Sequence, residues 1–189
     1  MNFIRLLAIT LVFAGIVPAR AAELPGHSVY RLPIALSDQD NRAFQLADRA
    51  GKPQLVSMFY TSCQFMCPLI IEELKRTQNA ISDGGHTKLP VLMVSFDAAH
   101  DTPAKLKETF GKRKIDATTW TFAHADAASV RQLAAALDIQ YRALPDGDFN
   151  HTSVLILLDG QGRIIARSEK MDGVDADFVA AAKKLAAAP

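Results

Sequence analysis

The sequence predicts an α/β domain with a central, mainly parallel sheet, helices on both faces and a C-terminal antiparallel hairpin at one edge. Three observations carry that prediction. Two apolar runs of strand length, QLVSMFY (54–60) and PVLMVSF (90–96), read as strands, the first with the continuous composition of a strand buried on both faces. Segments of helical period separate the strand-like runs, as parallel neighbours require. Near the end, SVLILLDGQGRIIARS places two apolar runs around Asp159-Gly160-Gln161-Gly162, a strong hairpin signal.

The chain opens with MNFIRLLAITLVFAGIVPARA: a basic start at Arg5, an apolar run from Leu6 to Val17, and the small-residue pattern Ala19-Arg20-Ala21. That pattern is a secretory signal peptide over residues 1–21, with the folded domain expected over 22–189. The run falls short of the roughly 20 apolar residues that span a bilayer, which favours cleavage over an uncleaved anchor. The whole chain has 21 basic and 20 acidic residues; losing Arg5 and Arg20 leaves a formal charge of −1. Such a balance gives no basis for nucleic-acid binding or a polybasic membrane surface. Export would place the chain in the periplasm, where nearby thiols become oxidised unless a reductant acts on them.

After a polar lead marked by Pro25 and Pro33, a small hairpin is expected around Asp40-Asn41, then a turn at Gly51-Lys52-Pro53. Strand 54–60 follows. Past it, Pro68 suits a first helical position, and Leu69, Ile70, Leu74 and Ile81 repeat with helical spacing. Strand 90–96 leads through DAAHDTP to a helix over about 103–110, with Thr102 as cap and Gly111 as stop. Residues 119–125 read as a strand, and Asp126 caps a helix carrying Val130, Leu133, Ala134 and Leu137. The hairpin and a helix over about 174–187 complete an order that is thioredoxin-like.

The only two cysteines, Cys63 and Cys67, straddle the first strand-to-helix junction. With Pro68 opening the helix, Cys67 would be its cap, where free backbone N–H groups and the helix dipole favour thiolate. A structural disulfide, a redox couple and a metal clamp all remain open. Residues four apart on a helix have Cβ atoms roughly 5–6 Å apart, against about 3.5–4.5 Å in a disulfide. Two thiolates about 2.3 Å from one ion can lie up to about 4.6 Å apart, so the spacing suits a clamp slightly better.

A third ligand is available. In thioredoxin-like folds the residue leading into the hairpin faces the cysteine loop, and ordinary thioredoxins place a cis-proline there. This chain has His151, with Pro145 too far back. Two thiolates favour Cu(I), and the imidazole helps to hold Cu(II). His27, His86, His100 and His124 read as ordinary polar histidines, His100 with the reservation that its loop lies at the same end of the sheet. Met58 and Met66 read as packing, with Met66 the better soft ligand of the two. Asp101 reads as a turn or cap residue, whereas Asp97, at the strand end, could orient a ligand from behind.

The stretches FYTSCQFMCP (59–68), VSFDAAHDTP (94–103) and HTSVLILLDGQGRI (151–164), in that order, resemble the Sco/SenC family of exported, thioredoxin-like copper-binding proteins; Trp120 also falls where that family tends to carry an aromatic. The resemblance implies a copper metallochaperone for the CuA centre of cytochrome c oxidase, with Cys63, Cys67 and His151 as ligands and Asp97 close by. It implies as partners the CuA-bearing subunit or another copper acceptor, and a periplasmic thiol reductant. Two departures stand out: many relatives keep a transmembrane anchor, and the segment ALPDGDFN before His151 is short. The alternative is a thiol-disulfide oxidoreductase using Cys63 and Cys67 on a copper acceptor or another exported protein. The missing proline argues against general thioredoxin activity, and the cysteines lack the Pro/Thr surround of peroxiredoxins.

Overall fold

The computed structural model describes residues 24–83 and 88–187. The expected signal segment 1–21 and His86 lie outside them. A seven-stranded mixed sheet forms the centre, in the order β2-β1-β5-β4-β3-β8-β9. Its three middle strands, β3 (Gln54–Phe59), β4 (Val91–Ser95) and β5 (Trp120–His124), are parallel. The expected C-terminal hairpin, β8 (Leu155–Leu158) and β9 (Ile164–Ser168), adds antiparallel to β3. The N-terminal hairpin, β1 (Ala35–Asp38) and β2 (Ala43–Gln45), turns at Asn41 and adds antiparallel to β5 on the other side.

Every residue of β3, β4 and β8 is buried, which is why their sequences are unbroken apolar runs rather than alternating ones. Helix α1 (Met66–Ser82) buries Cys67, Ile70, Ile71, Leu74 and Ile81, a stripe at helical spacing, and packs on α4 (Ala176–Ala186). Helix α2 (Pro103–Lys112) lies against β1 and β5, and Lys75 of α1 donates to the carbonyl of Arg113 just past its end. Helix α3 (Ala127–Ala136) is tied to the far edge by Arg167 of β9, whose guanidinium bonds the carbonyls of Leu137 and Asp138.

Thr102 and Asp126 cap their helices as expected, and Asp175 adds a third cap. Each accepts backbone N–H bonds from the first turn of the helix it precedes. Two boundaries differ. Helix α2 runs through Gly111 to Lys112, and α1 begins at Met66, so Cys67 is its second residue rather than its cap. Phe65 sits at the cap position with no side-chain bond to offer, so a cysteine sulfur meets part of that unmet donor set.

A second, two-stranded sheet was not expected: β6 (Tyr141–Ala143) pairs with β7 (Phe149–His151), and His151 ends it opposite Tyr141. Elsewhere the N-terminal segment closes on the hairpin turn, where Val29 N–H donates to Gly162 O at 3.0 Å. Gly162 has φ +76°, and a Cβ there would stand 2.6 Å from the ring of Tyr30. Gly162→Ala should therefore destabilise the fold by about 1–3 kcal/mol. Urea unfolding should show a lower midpoint at unchanged slope, and an unaltered midpoint would contradict the close approach.

Candidate metal centre

Cys63, Cys67 and His151 come together. One ligand atom from each lies within 4.8 Å of the other two, although β7 is more than eighty residues from α1 in sequence. Cys67 is 2% exposed, whereas Cys63 and His151 are half-buried. The cluster is thus a recess with one wall in the core and two at the surface.

The sulfurs are not equivalent. Cys63 Sγ accepts the backbone N–H of Cys67 at 3.2 Å, at the positive end of α1. A hydrogen bond from the Cys67 thiol, together with backbone N–H groups, holds the Cys63 thiol far below its ordinary range against the opposing effect of burial. Burial pushes the Cys67 thiol up, and the neighbouring Cys63 charge pushes it further, despite the N–H of Tyr60 at 3.5 Å from its sulfur. The thiolate expected at Cys67 therefore belongs to Cys63. The buried sulfur keeps its proton and donates it to the half-exposed one.

His151 is oriented from behind. Its Nδ1 lies 3.1 Å from the carbonyl of Thr152, which can only accept, so Nδ1 carries the hydrogen and Nε2 is the nitrogen left for a ligand. Its ring rests on Phe96 (centroids 5.0 Å) and meets Tyr60 edge-on (5.9 Å). Phe149 packs on both of those rings, and Tyr141 stacks on Phe96 at 5.3 Å. The Tyr60 hydroxyl donates to Asp148 at 3.2 Å and accepts Phe149 N–H at 3.4 Å, pinning the β6–β7 hairpin to the end of β3. Sequence reasoning passed over Tyr60, Phe96 and Phe149. The alternation of Phe149 and His151 on one face of a strand was the available signal.

The two aspartates of the loop after β4 bond different partners. Asp97 accepts His100, with Nδ1 at 2.8 Å, and none of its hydrogen bonds reaches Cys63, Cys67 or His151. Asp101, read as a turn residue, is 1% exposed and accepts Thr61 N–H at 2.8 Å, the Thr61 hydroxyl, and Ser95 Oγ at 2.6 Å. It staples the cysteine loop to the end of β4. Met58 is core, Met66 is partly exposed, His27 and His100 are exposed, and Trp120 is buried with its Nε1 donating to Gln78 at 2.9 Å. His124, on β5, is half-buried and its Nδ1 is without a partner among the described residues.

Two sulfurs and one imidazole nitrogen at this separation can share one soft ion, since thiolate and imidazole reach about 2.3 Å and 2.0–2.1 Å to such ions. The sequence from residue 23 to 187 matches the SCO1/SenC family model. This chain belongs to the SCO1/SenC family. Among SCO1/SenC relatives, copper-bound ScoI of Bradyrhizobium japonicum is 25% identical with a TM-score of 0.68, covering 82% of this chain and 98% of that one. A SCO1/SenC family lipoprotein of Bacillus anthracis shares the fold at TM-score 0.73 and 20% identity, covering 80% of this chain and 92% of its own. A Stutzerimonas stutzeri protein provisionally named as copper-binding is 22% identical, over 89% of this chain and 88% of its own.

The sulfur asymmetry has a direct readout. Reduced, metal-free protein should show one thiolate absorbance near 240 nm per chain at neutral pH, persisting well into acid and abolished by Cys63→Ser. Because the Cys63 pKa is depressed on folding, its contribution to stability is full above the ordinary thiol value of about 8.5 and lost as pH falls through the folded value. An absorbance that appears only above about pH 8 would refute the assignment.

Proposed function

We propose that this chain binds copper through Cys63, Cys67 and His151 and delivers it, outside the cytoplasm, to the CuA centre of cytochrome c oxidase. The observation that carries the reading is the convergence of two sulfurs and one imidazole in a single recess of a SCO1/SenC fold. Cu(I) suits the two sulfurs, and the His151 nitrogen supplies the harder donor that Cu(II) prefers. Taking up the ion displaces the proton that Cys67 donates to Cys63. Delivery is ligand exchange, in which donors of the acceptor replace these three while the ion stays shielded from water. Residues 1–21 serve as the export signal, and residues 22–189 form the working domain. A thiol reductant in the same compartment keeps the pair able to bind.

Hand-over between proteins is supported by the surface around the recess. Phe65 is 80% exposed, Leu69 48% and Met66 37%, three of the five large apolar side chains found exposed among the described residues. A cluster of that kind beside a site marks a contact surface.

A second reading, thiol-disulfide exchange, is favoured by the sulfur asymmetry. The half-exposed Cys63 thiolate would attack a substrate disulfide and release one substrate thiolate. Cys67, after losing its proton, would then attack the mixed disulfide, leaving a Cys63–Cys67 disulfide and a reduced substrate. Two electrons pass from the pair to the substrate.

Anaerobic titration of reduced protein should give one Cu(I) per chain. Cys63→Ser and Cys67→Ser should each weaken binding by well over tenfold, more than about 1.4 kcal/mol, and His151→Ala should weaken Cu(II) more than Cu(I). Copper affinity equal in wild type and Cys63→Ser would sink the copper reading. Disulfide reduction surviving in His151→Ala at wild-type rate would favour the exchange reading. Separately, the double variant Phe65→Ser/Leu69→Ser should keep its copper stoichiometry and its stability within about 0.5 kcal/mol. It should slow transfer to an apo CuA domain about tenfold, as loss of interface anchors does. Undiminished transfer would exclude that face as the docking surface.

A further inference from the structure

At the other end of the sheet, where β3, β4 and β5 begin, the loops enclose a cleft of about 490 Å³. Six residues of β3 separate it from the cysteine loop, roughly 20 Å at strand rise. It is therefore a separate place from the recess that holds the sulfurs. Arg49, at the end of a short 3-10 turn (Leu46–Arg49), extends into it, joined by Lys52, Gln54, Thr119, Trp120 and Thr121.

Arg49 is half-buried, and its hydrogen bonds go only to neutral groups: Nε donates to Gln54 Oε1 at 3.0 Å and Nη1 to Thr121 Oγ1 at 3.1 Å. Gln54 is 2% exposed and in turn donates Nε2 to the Tyr30 hydroxyl at 2.7 Å. Burial pushes the Tyr30 phenol up to about 12, so that partner is neutral too. Among the described residues no carboxylate pairs with Arg49 or Lys52. Two carboxylates lie near: Asp48, which lines the cleft, accepts Gln45 N–H at 2.8 Å, and Asp116, just before the lining residue Ala117, accepts the Thr118 and Thr119 hydroxyls.

A guanidinium half withdrawn from water and held in one orientation is well placed to take an anion beside it. Here it is clamped in one orientation by a buried amide, its charge is left uncompensated, and Nη2 remains free for a partner. Lys52 adds a second positive charge at the rim. We infer that this cleft is a binding site for a small oxyanion, a phosphate or a carboxylate, held by Arg49 and Lys52 at the end of the sheet opposite the cysteines. Arg49 provides the directed donors, and Thr119 and Thr121 line the cleft beside it.

Occupancy is read by isothermal titration calorimetry, because Trp120, the only tryptophan in the chain, is buried and turns its indole N–H to Gln78 of α1. Full chain, reduced and metal-free, would be titrated with inorganic phosphate and separately with succinate, with sodium chloride at matched ionic strength as control. A saturable heat with phosphate alone assigns the phosphate class, and one with succinate alone the carboxylate class. Arg49→Gln should raise the half-saturation concentration about tenfold or more, the loss of one charge-assisted contact, and Lys52→Ala should raise it a few-fold. Bound oxyanion should also raise the melting temperature of wild type. A response matched by chloride in both titrations overturns the inference, as does an unchanged half-saturation in Arg49→Gln. If Arg49→Gln does not fold, Lys52→Ala decides, since its side chain is exposed and an unchanged value there overturns the inference equally.

Discussion

Strands β3 and β4 run parallel and in register, Leu55 beside Val91 through Phe59 beside Ser95, with every side chain of both strands buried. Two adjacent strands covered on both faces leave no room for polar chemistry along their length. It has to gather where they end. Phe96 N–H still bonds Phe59 O at 2.9 Å, so the chains part company only at Tyr60 and Phe96, side by side. The cysteine loop leaves from one and the aspartate loop from the other. Asp101 can then bridge Thr61 to Ser95, and the two aromatic rings form the bed on which His151 lies. The site is a consequence of that register: a slip of one residue would turn both rings away from the hairpin.

The sulfur pair then follows from unequal burial. A thiolate 2% exposed would bear most of the desolvation cost of an ion, while one at the edge keeps part of its hydration. The pair resolves this by placing its single negative charge on Cys63, backed by the first turn of α1, and leaving the proton on Cys67. A soft cation in place of that proton would draw charge from both sulfurs, leaving a monovalent ion with two thiolates at net −1, and would remove the reason for the imbalance. The same imbalance would supply an attacking and a resolving sulfur, so the two proposed activities would draw on one electrostatic arrangement.

Much of this was legible in the sequence because the signals were local. Apolar runs marked β3 and β4, Thr102 and Asp126 marked two helix starts, and Asp159-Gly160-Gln161-Gly162 marked the hairpin. Cys63, Cys67 and His151 were found through their spacing and their order along the chain. The misses have a shared cause, which is that the deciding partner lies far away in sequence. The short strands YRA and FNH carry no periodic pattern, and Tyr60, Phe96 and Phe149 hold them in place. Asp97 and Asp101 are alike in sequence, and only the position of Thr61 across the sheet end decides which one braces the loop. The start of α1 moved by two residues because the sulfur of Cys63 accepts an N–H that a side-chain cap would otherwise take.

Exposure around the recess falls in one direction, and that gradient orders events at the site. Phe65 stands almost free of the surface, Cys63 and His151 are half-covered, and Cys67 is closed in by Tyr60 and the core. In the proposed delivery, a donor atom on another protein would meet Cys63 and His151 before the buried Cys67. An ion held by all three would therefore keep its bond to Cys67 longest, while the outer two positions exchange. His151 is well suited to the outer position, since its hairpin is fastened at Tyr60 by one hydroxyl and a few ring contacts rather than by the main sheet. A buried sulfur as the fixed point and a hairpin-borne imbalance-free donor as the movable one give the recess an inside and an outside, which a symmetric pair of exposed thiols would lack.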